Sequence, residues 1–271
     1  MKVGLFIFFA VLALVALTPF AWMISTAFKP ASEVIAFPPK FIPENPTVAN
    51  IIKVFQTAPF HRFFLNSIVV SITATLSALF LGSMAGYAFA KLRFPGRNIL
   101  FVVVLATMMV PWQVTIIPMY VLMVKFRWVN TYQALIMPRL VGGFAIFLMR
   151  QFIKGLPDEL VDAAKIDGCS HFRIYWKIII PNIKPALAAL AIFKFMSMWN
   201  EYLWPLIVVK TPLMRTVPLG VALFFTEEAR SPSFYNLIMS ASFMALLPTV
   251  VLFLCLQRHF TRGVVLSGVK G

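Results

Sequence analysis

Residues 158–169 read DELVDAAKIDGC, and they hold four of the chain's nine acidic residues. The stretch is short, polar and helix-forming. Pro157, just before it, suits a first helical position, and Asp158 and Glu159 sit where the positive end of a helix dipole favours anions. Gly168 suits the left-handed conformation that ends a helix. A helix of about 11 residues, ~16 Å long, is expected. Leu160, Ala164 and Asp167 fall on one stripe with Ala163 beside it, and such small side chains let another surface approach the backbone closely. Spacing alone leaves open a plainer reading, a solvated connector whose acidic residues only cap it.

The rest of the chain makes this polar island unusual. The hydrophobic fraction is 61% and the mean hydropathy is +0.88, while charged residues make up only 12%, against ~25% in soluble domains. Too few polar residues remain to cover a soluble surface, so the composition is that of an all-α integral membrane protein. A hydrocarbon core of ~30 Å needs about 20 helical residues. Six segments meet that length: Gly4–Phe28, Phe64–Ala90, Ile99–Val124, Tyr132–Met149, Ala186–Val209 and Leu237–Leu256. The third contains Pro111 and Pro118, which are expected to kink it or end it early, since each removes a backbone donor. The apolar run of the first is too long for a signal peptide's core, so it is expected to remain as a span.

The single domain, residues 1–271, is then a bundle of six spans with both termini on one side. The connections on that side include the loop 150–184, and the opposite face carries the loops 29–63, 125–131 and 210–236. The net charge of +15 is not arranged as a basic stripe with interleaved aromatics, so nucleic acid is not implied. Thirteen basic residues fall on the side of the termini and nine on the other, with Arg139 and Lys194 inside spans. The excess, and above all the short turn KLRFPGR at 91–97, places the termini in the cytoplasm. Cys169 and Cys255 both fall on that side, so no disulfide framework is implied. The proline-rich FPPKFIPENP at 37–46 precludes a long helix in the first outer loop, which reads as an ordered cap with short helical turns.

After the polar helix comes SHFRIYWKIII at 170–180. Ser170 can cap it, and Phe172, Tyr175, Trp176 and Ile179 make an apolar face suited to the membrane surface. A polar helix, a glycine turn and an interfacial helix leading into a span form a mechanical arm: force on the first can tilt the last.

The segment Asp162-Ala163-Ala164-Lys165-Ile166-Asp167-Gly168 closely resembles the EAA loop of permease subunits from ATP-binding-cassette importers, which runs Glu-Ala-Ala, three residues, Gly. The downstream IIIPNIKPAL is similar to that family's Ile-x-x-Pro ending. SMAGYAFAKLRFPGR, WNEYLWPLIVV and the terminal GVKG resemble the sugar-importer branch, in particular the second permease subunit of maltose-type systems. The one departure is Asp162 for Glu, a methylene shorter with the same charge. The resemblance implies the type I importer permease fold in a bacterial or archaeal cytoplasmic membrane. It also implies a second permease subunit forming a heterodimer, two cytoplasmic ATPases that carry the ATP and Mg2+, and an external solute-binding protein. The short helix would dock on an ATPase, making Asp158, Glu159, Asp162, Ala163, Ala164, Asp167 and Gly168 its coupling residues. On the same analogy the tail Leu266–Gly271 reaches the ATPase interface, and the loop Lys210–Tyr235 probes the binding protein's cleft.

Chemistry of other kinds is missing from the sequence. None of the twelve glycines precedes a lysine, so there is no phosphate-binding Gly-Lys-Ser/Thr loop. His61, His171 and His259 are scattered, with no metal-ligand spacing, and no catalytic set is visible. Ionisable residues inside spans usually face protein or water. Arg139, Lys194 and Glu201 qualify, with Trp199 and Asn200 offering a stacking surface and a hydrogen-bonding group for sugars. Lys194 and Glu201 would lie two turns apart on one face, as candidates for the solute path. The alternative is structural pairing, and a positive path would also suit glycerol phosphate. A stand-alone secondary transporter or channel is the rival from another class.

Overall fold

A computed structural model describes residues 2–34, 36–222 and 232–265 of the chain. Every regular element among them is helical. In chain order these are α1 (Lys2–Ala27), α2 (Ala31–Val34), α3 (Ala49–Thr57), α4 (Phe60–Lys91), α5 (Arg97–Met109), α6 (Trp112–Lys125), α7 (Tyr132–Ile136) and α8 (Gly143–Lys154). They continue as α9 (Glu159–Ile166), α10 (His171–Ile174), α11 (Ile180–Asn182), α12 (Lys184–Trp199), α13 (Leu203–Val208), α14 (Val217–Ala222) and α15 (Pro232–Val265). A π turn over Tyr175–Ile179 joins α10 to α11. The tail Leu266–Gly271 and residues 223–231 of the loop Lys210–Tyr235 lie outside the described residues.

Three helices are long and apolar enough to cross a membrane, Val3–Ala27, Phe60–Lys91 and Phe234–Cys255. They match the first, second and sixth expected spans. The other segments expected as spans are broken. Between α5 and α6 the axis turns by 98°. Val110 is extended there, as the residue before a proline prefers to be, and Pro111 ends the helix. Pro118 sits inside α6 without breaking it, so only one of the two expected interruptions occurs. The fourth segment bends by 42° between α7 with its following 3-10 turn, Met137–Arg139, and α8.

The fifth expected span, Ala186–Val209, is not one helix. α12 ends at Trp199, and α13 starts anew at Leu203 after an irregular Asn200–Tyr202. Glu201 Oε1 accepts from the Trp204 N–H at 3.2 Å, and Pro205 in the next position has no donor to continue the old ladder. The segment 171–182 instead meets α12 at 80°. Pro185 falls in the first turn of α12, where a missing N–H is harmless, and Pro181 follows the π turn inside the continuous helical run 171–182.

The described residues fall into two compact units, one drawn from 1–64 and 215–249 and one drawn from 65–214 and 250–271. In the first, the carbonyls at the end of α1 would be orphaned. Asn50 Nδ2 donates to Ala27 O and Lys29 O at 2.9 and 2.8 Å, Ser240 Oγ to Ala27 O at 3.1 Å, and Asn236 Nδ2 to Lys29 O at 2.6 Å. The loop beyond carries the short helices α2 and α3 and is pinned by Glu33, which accepts from the backbone N–H of Glu44 and Asn45, both at 3.0 Å. The short helical turns expected of this loop are present.

In the second unit the small-residue face of α4 packs on α8. A Cβ at Gly82 would come 2.9 Å from the Ala145 Cβ, and one at Gly86 2.6 Å from the Met149 Cβ. Two backbones can approach so closely only with glycine between them. Ser83 Oγ also meets the Tyr175 hydroxyl at 2.7 Å. Tyr87, Ala145, Met149, Tyr175, Ile179 and Leu190 belong to one buried cluster that ties α4, α8, the π turn and α12 together.

Candidate functional site

The polar helix of the opening stretch is α9. It is eight residues long, shorter than expected, because Pro157 and Asp158 precede it and Asp167 and Gly168 close it. The closure is a Schellman motif: the Cys169 N–H reaches Ala164 O at 2.9 Å and the Gly168 N–H reaches Lys165 O at 2.9 Å. Gly168 has φ +74°, a conformation glycine adopts without strain. Ser170 then caps α10 by accepting from the Arg173 N–H at 3.4 Å.

The two faces of α9 differ. Val161 and Ala164 are buried in the cluster that holds α4, α8 and α12. Glu159, Leu160, Asp162, Ala163, Ile166 and Asp167 face outward, and Ile166 is 87% exposed. Ala164, grouped by sequence with the contact residues, therefore points into its own chain while Ala163 points away from it. Of the following arm, Tyr175 and Ile179 are buried and Phe172 and Trp176 are exposed. The Tyr87 hydroxyl lies 3.2 Å from His171 Nδ1. Val161 and Ala164 thus share one buried cluster with side chains of α4, α8 and α12.

Lys91, the last residue of α4, was legible in the sequence only as one charge in a basic turn. Its ammonium donates to Leu156 O at 2.6 Å and to the carboxylate of Asp158. Its side chain is almost wholly buried while that of Asp158 is 80% exposed. The hydrogen bond from Lys91, reinforced by its charge, holds the Asp158 carboxyl below its usual range. α4 is stapled in this way to the residue that precedes α9. Asp162 pairs with Lys165 at 3.0 Å on the surface.

The ionisable groups inside spans converge, though not on one helical face. Arg139, after α7, forms an ion pair with Glu201, beyond the end of α12. Lys194 Nζ donates to the Arg139 backbone carbonyl at 2.6 Å. The Arg139 guanidinium lies over the ring of Trp112, 4.1 Å from its centroid, and Trp112 meets Trp204 edge to face at 5.7 Å. Trp204 Nε1 donates to Ala134 O at 2.8 Å. Trp112 was not singled out in the sequence; its place after Pro111 gave no hint of the cation it covers. Trp199 is 1% exposed and stacks on Phe195, so its ring faces the interior, while Asn200 is exposed. No group of three or more His, Cys, Asp or Glu able to hold a metal occurs among the described residues.

These features define a class: a helical membrane protein with an ion pair closed between its apolar segments and a short polar helix presented outward. The chain belongs to the family described as binding-protein-dependent transport system inner membrane component, whose profile matches residues 78–265. Among curated proteins it is 39% identical over 266 residues to the arabinooligosaccharides transport system permease protein AraQ of Halalkalibacterium halodurans, covering 97% of this chain and 94% of that one. It is 35% identical to AraQ of Bacillus subtilis over 273 residues, covering 100% and 96%. Over 240 residues it is 36% identical to the sn-glycerol-3-phosphate transport system permease protein UgpE of Escherichia coli, covering 86% and 85%. Its fold matches a chain in the crystal structure of a bacterial ABC transporter involved in the import of the acidic polysaccharide alginate, with a TM-score of 0.86 at 21% identity over 96% of both chains.

Proposed function

We propose that the chain is the permease subunit of an ATP-driven, binding-protein-dependent sugar importer, crossing a bacterial cytoplasmic membrane six times with both termini inside. Three helices of spanning length and three bent pairs support the six spans. The basic residues of the 91–97 turn and the 150–184 loop support the orientation. The chain carries no chemistry of its own; ATP and Mg2+ act on a pair of partner ATPases. A second permease subunit completes the path, and an external binding protein delivers the solute. That the relatives at 39% and 35% identity are arabinooligosaccharide permeases favours an oligosaccharide.

The observation that carries the reading is the two-faced α9. Its inner residues are locked into the core of α4, α8 and α12, while Ile166 and Leu160 stand 87% and 41% exposed beside Glu159, Asp162, Ala163 and Asp167. Exposed hydrocarbon ringed by carboxylates is suited to a groove on another protein. Closure of the ATPases then pulls α9, and through Val161 and Ala164 the spans follow; Gly168 supplies the turn. Arg139, Lys194 and Glu201 brace the fourth and fifth spans, with the exposed Asn200 left to meet solute.

A second reading within the family, import of glycerol phosphate, is favoured by the 36% identity to UgpE. Binding of arabinooligosaccharides against glycerol 3-phosphate by the cognate external receptor separates the two.

For the coupling itself, Ile166→Asp and Ala163→Arg are expected to leave the permease folded and to abolish its co-purification with the ATPase. Solute-stimulated ATP hydrolysis should fall at least tenfold, since each puts a charge or bulk into a contact of typical hot-spot size. Retention of wild-type co-purification and hydrolysis by both variants would overturn the role of α9. Uptake of solute into liposomes by this chain alone would point instead to a self-contained transporter.

A further inference from the structure

Beside α9, within the second unit, lies a cavity of about 870 Å3 that borders the coupling residues Asp158 and Asp162. Its walls carry five cations, Lys91, Arg93, Arg97, Lys154 and Lys165. Only two carboxylates face them, Asp158 and Asp162, and each is already paired, with Lys91 and Lys165 respectively. The lining therefore keeps a formal excess of three positive charges. A smaller cavity of about 390 Å3 shares Arg93, Phe94 and Arg97 with the first and extends to Asn98 and Ile99. The first turn of α5 opens into it; Gly96 precedes that turn with φ +78°, and no side chain caps its N–H groups.

What lies beyond Ile99 identifies the ligand. Ile99, Val102 and Val103 are 72%, 61% and 53% exposed and stand on one stripe of α5. A continuous surface thus runs from a cationic cavity at the end of two apolar helices to an unburied hydrocarbon stripe on one of them. A soluble anion has use only for the first half of that surface. A phospholipid has use for both, its phosphate among the cations and its acyl chain along the stripe, as basic pockets between spans hold anionic headgroups. We propose that this pair of cavities seats one anionic phospholipid, with the phosphate held by Arg93, Arg97 and Lys154 and an acyl chain lying on Ile99, Val102 and Val103. The seat also borders Asp158 and Lys165, so an occupied headgroup stiffens the junction between α4 and α9.

The test uses the importer assembled around the full-length chain in detergent, titrated with phosphatidylglycerol or phosphatidylcholine of the same acyl chains and followed by native mass spectrometry. One phosphatidylglycerol should be retained per copy of this chain, with phosphatidylcholine lost. Arg93→Gln and Lys154→Gln should each weaken retention roughly fivefold, and the double variant about 25-fold, the effect of about one cation each near a lipid surface. Arg93→Lys with Lys154→Arg should restore it, which separates lost charge from lost folding. Equal retention of the two lipids, or of phosphatidylglycerol by wild type and the double variant, would sink the proposal. So would displacement of the lipid by millimolar inorganic phosphate, which would make the site one for a soluble anion.

Discussion

Two regions of this chain keep ionisable residues in a protein that has few of them, and they treat those residues in opposite ways. Around Arg139 the charges are consumed at home. Glu201 neutralises the guanidinium, Trp112 covers its face, and Lys194 spends its ammonium on the Arg139 carbonyl. Around α9 they are held outward, with Asp162 and Asp167 exposed next to an Ile166 left 87% exposed. The difference separates two uses of polarity in a membrane protein. A charge closed off by its own chain fixes how helices meet. A charge left at the surface beside exposed hydrocarbon stays open to a surface that arrives from elsewhere.

The closed region should break hardest. Both side chains of the Arg139–Glu201 pair are under one-fifth exposed. Removing one partner leaves an uncompensated charge, so Glu201→Gln is expected to destabilise the chain by about 3–5 kcal/mol. The glutamine amide oxygen can still accept from the Trp204 N–H at the start of α13, so the substitution isolates the loss of charge. Thermal melting of the purified complex checks this, and Arg139→Gln added to Glu201→Gln should recover much of the loss, because the stranded charge is gone. A double variant as unstable as the single would mean that the loss does not come from the stranded charge. A solute contact made by the pair would show differently, as a change in transport specificity with melting unaltered.

Reading the sequence separated these regions unevenly. The long spans were legible because α1, α4 and α15 carry uninterrupted apolar runs, and hydropathy needs no tertiary knowledge. α9 was legible because its end is written locally: a glycine that takes positive φ, a serine that caps the next helix, acids at the start. The breaks were half legible. Pro111 and Pro118 look alike in sequence, yet one ends a helix and the other rides inside α6, since surrounding helices decide which ladder survives. Lys194 and Glu201 were placed on one helical face by their spacing. They meet instead through Arg139, because α12 stops at Trp199 and a residue 55 positions upstream of Lys194 supplies the link. The inward turn of Ala164 and Trp199 depends on which neighbour packs where, and no local pattern states it.

A smaller change sharpens the outward region. Nothing lies within 4 Å of a Cβ placed on Gly168. The only penalty for a side chain there is the left-handed backbone, about 1 kcal/mol. Gly168→Ala and Gly168→Leu should therefore melt alike in the isolated permease, each slightly below wild type. If the turn sits against an ATPase, the two should part in the assembled importer, with leucine lowering solute-stimulated hydrolysis far more than alanine. Equal hydrolysis would show that the partner never reaches the turn, and that the open surface ends at Asp167.

The smallest effect is expected where the two regimes meet. Lys91 is buried like the closed cluster, but its carboxylate partner Asp158 is exposed like α9, and the folded protein holds that carboxyl below its ordinary 3.8. A depressed carboxyl contributes stability that is present above the unfolded pKa and is lost as pH falls through the folded one. Wild type should therefore melt slightly above Asp158→Asn at neutral pH, with the gap unchanged down to about pH 5 and closing only below 3.8. Salt should narrow the same gap, since an exposed partner is screened. A gap that survives both acid and salt would mean that Asp158 acts through its shape at the start of α9 and not through its charge. In that case the junction would belong with the outward helix, and the Lys91 ammonium would be satisfied by the Leu156 carbonyl alone.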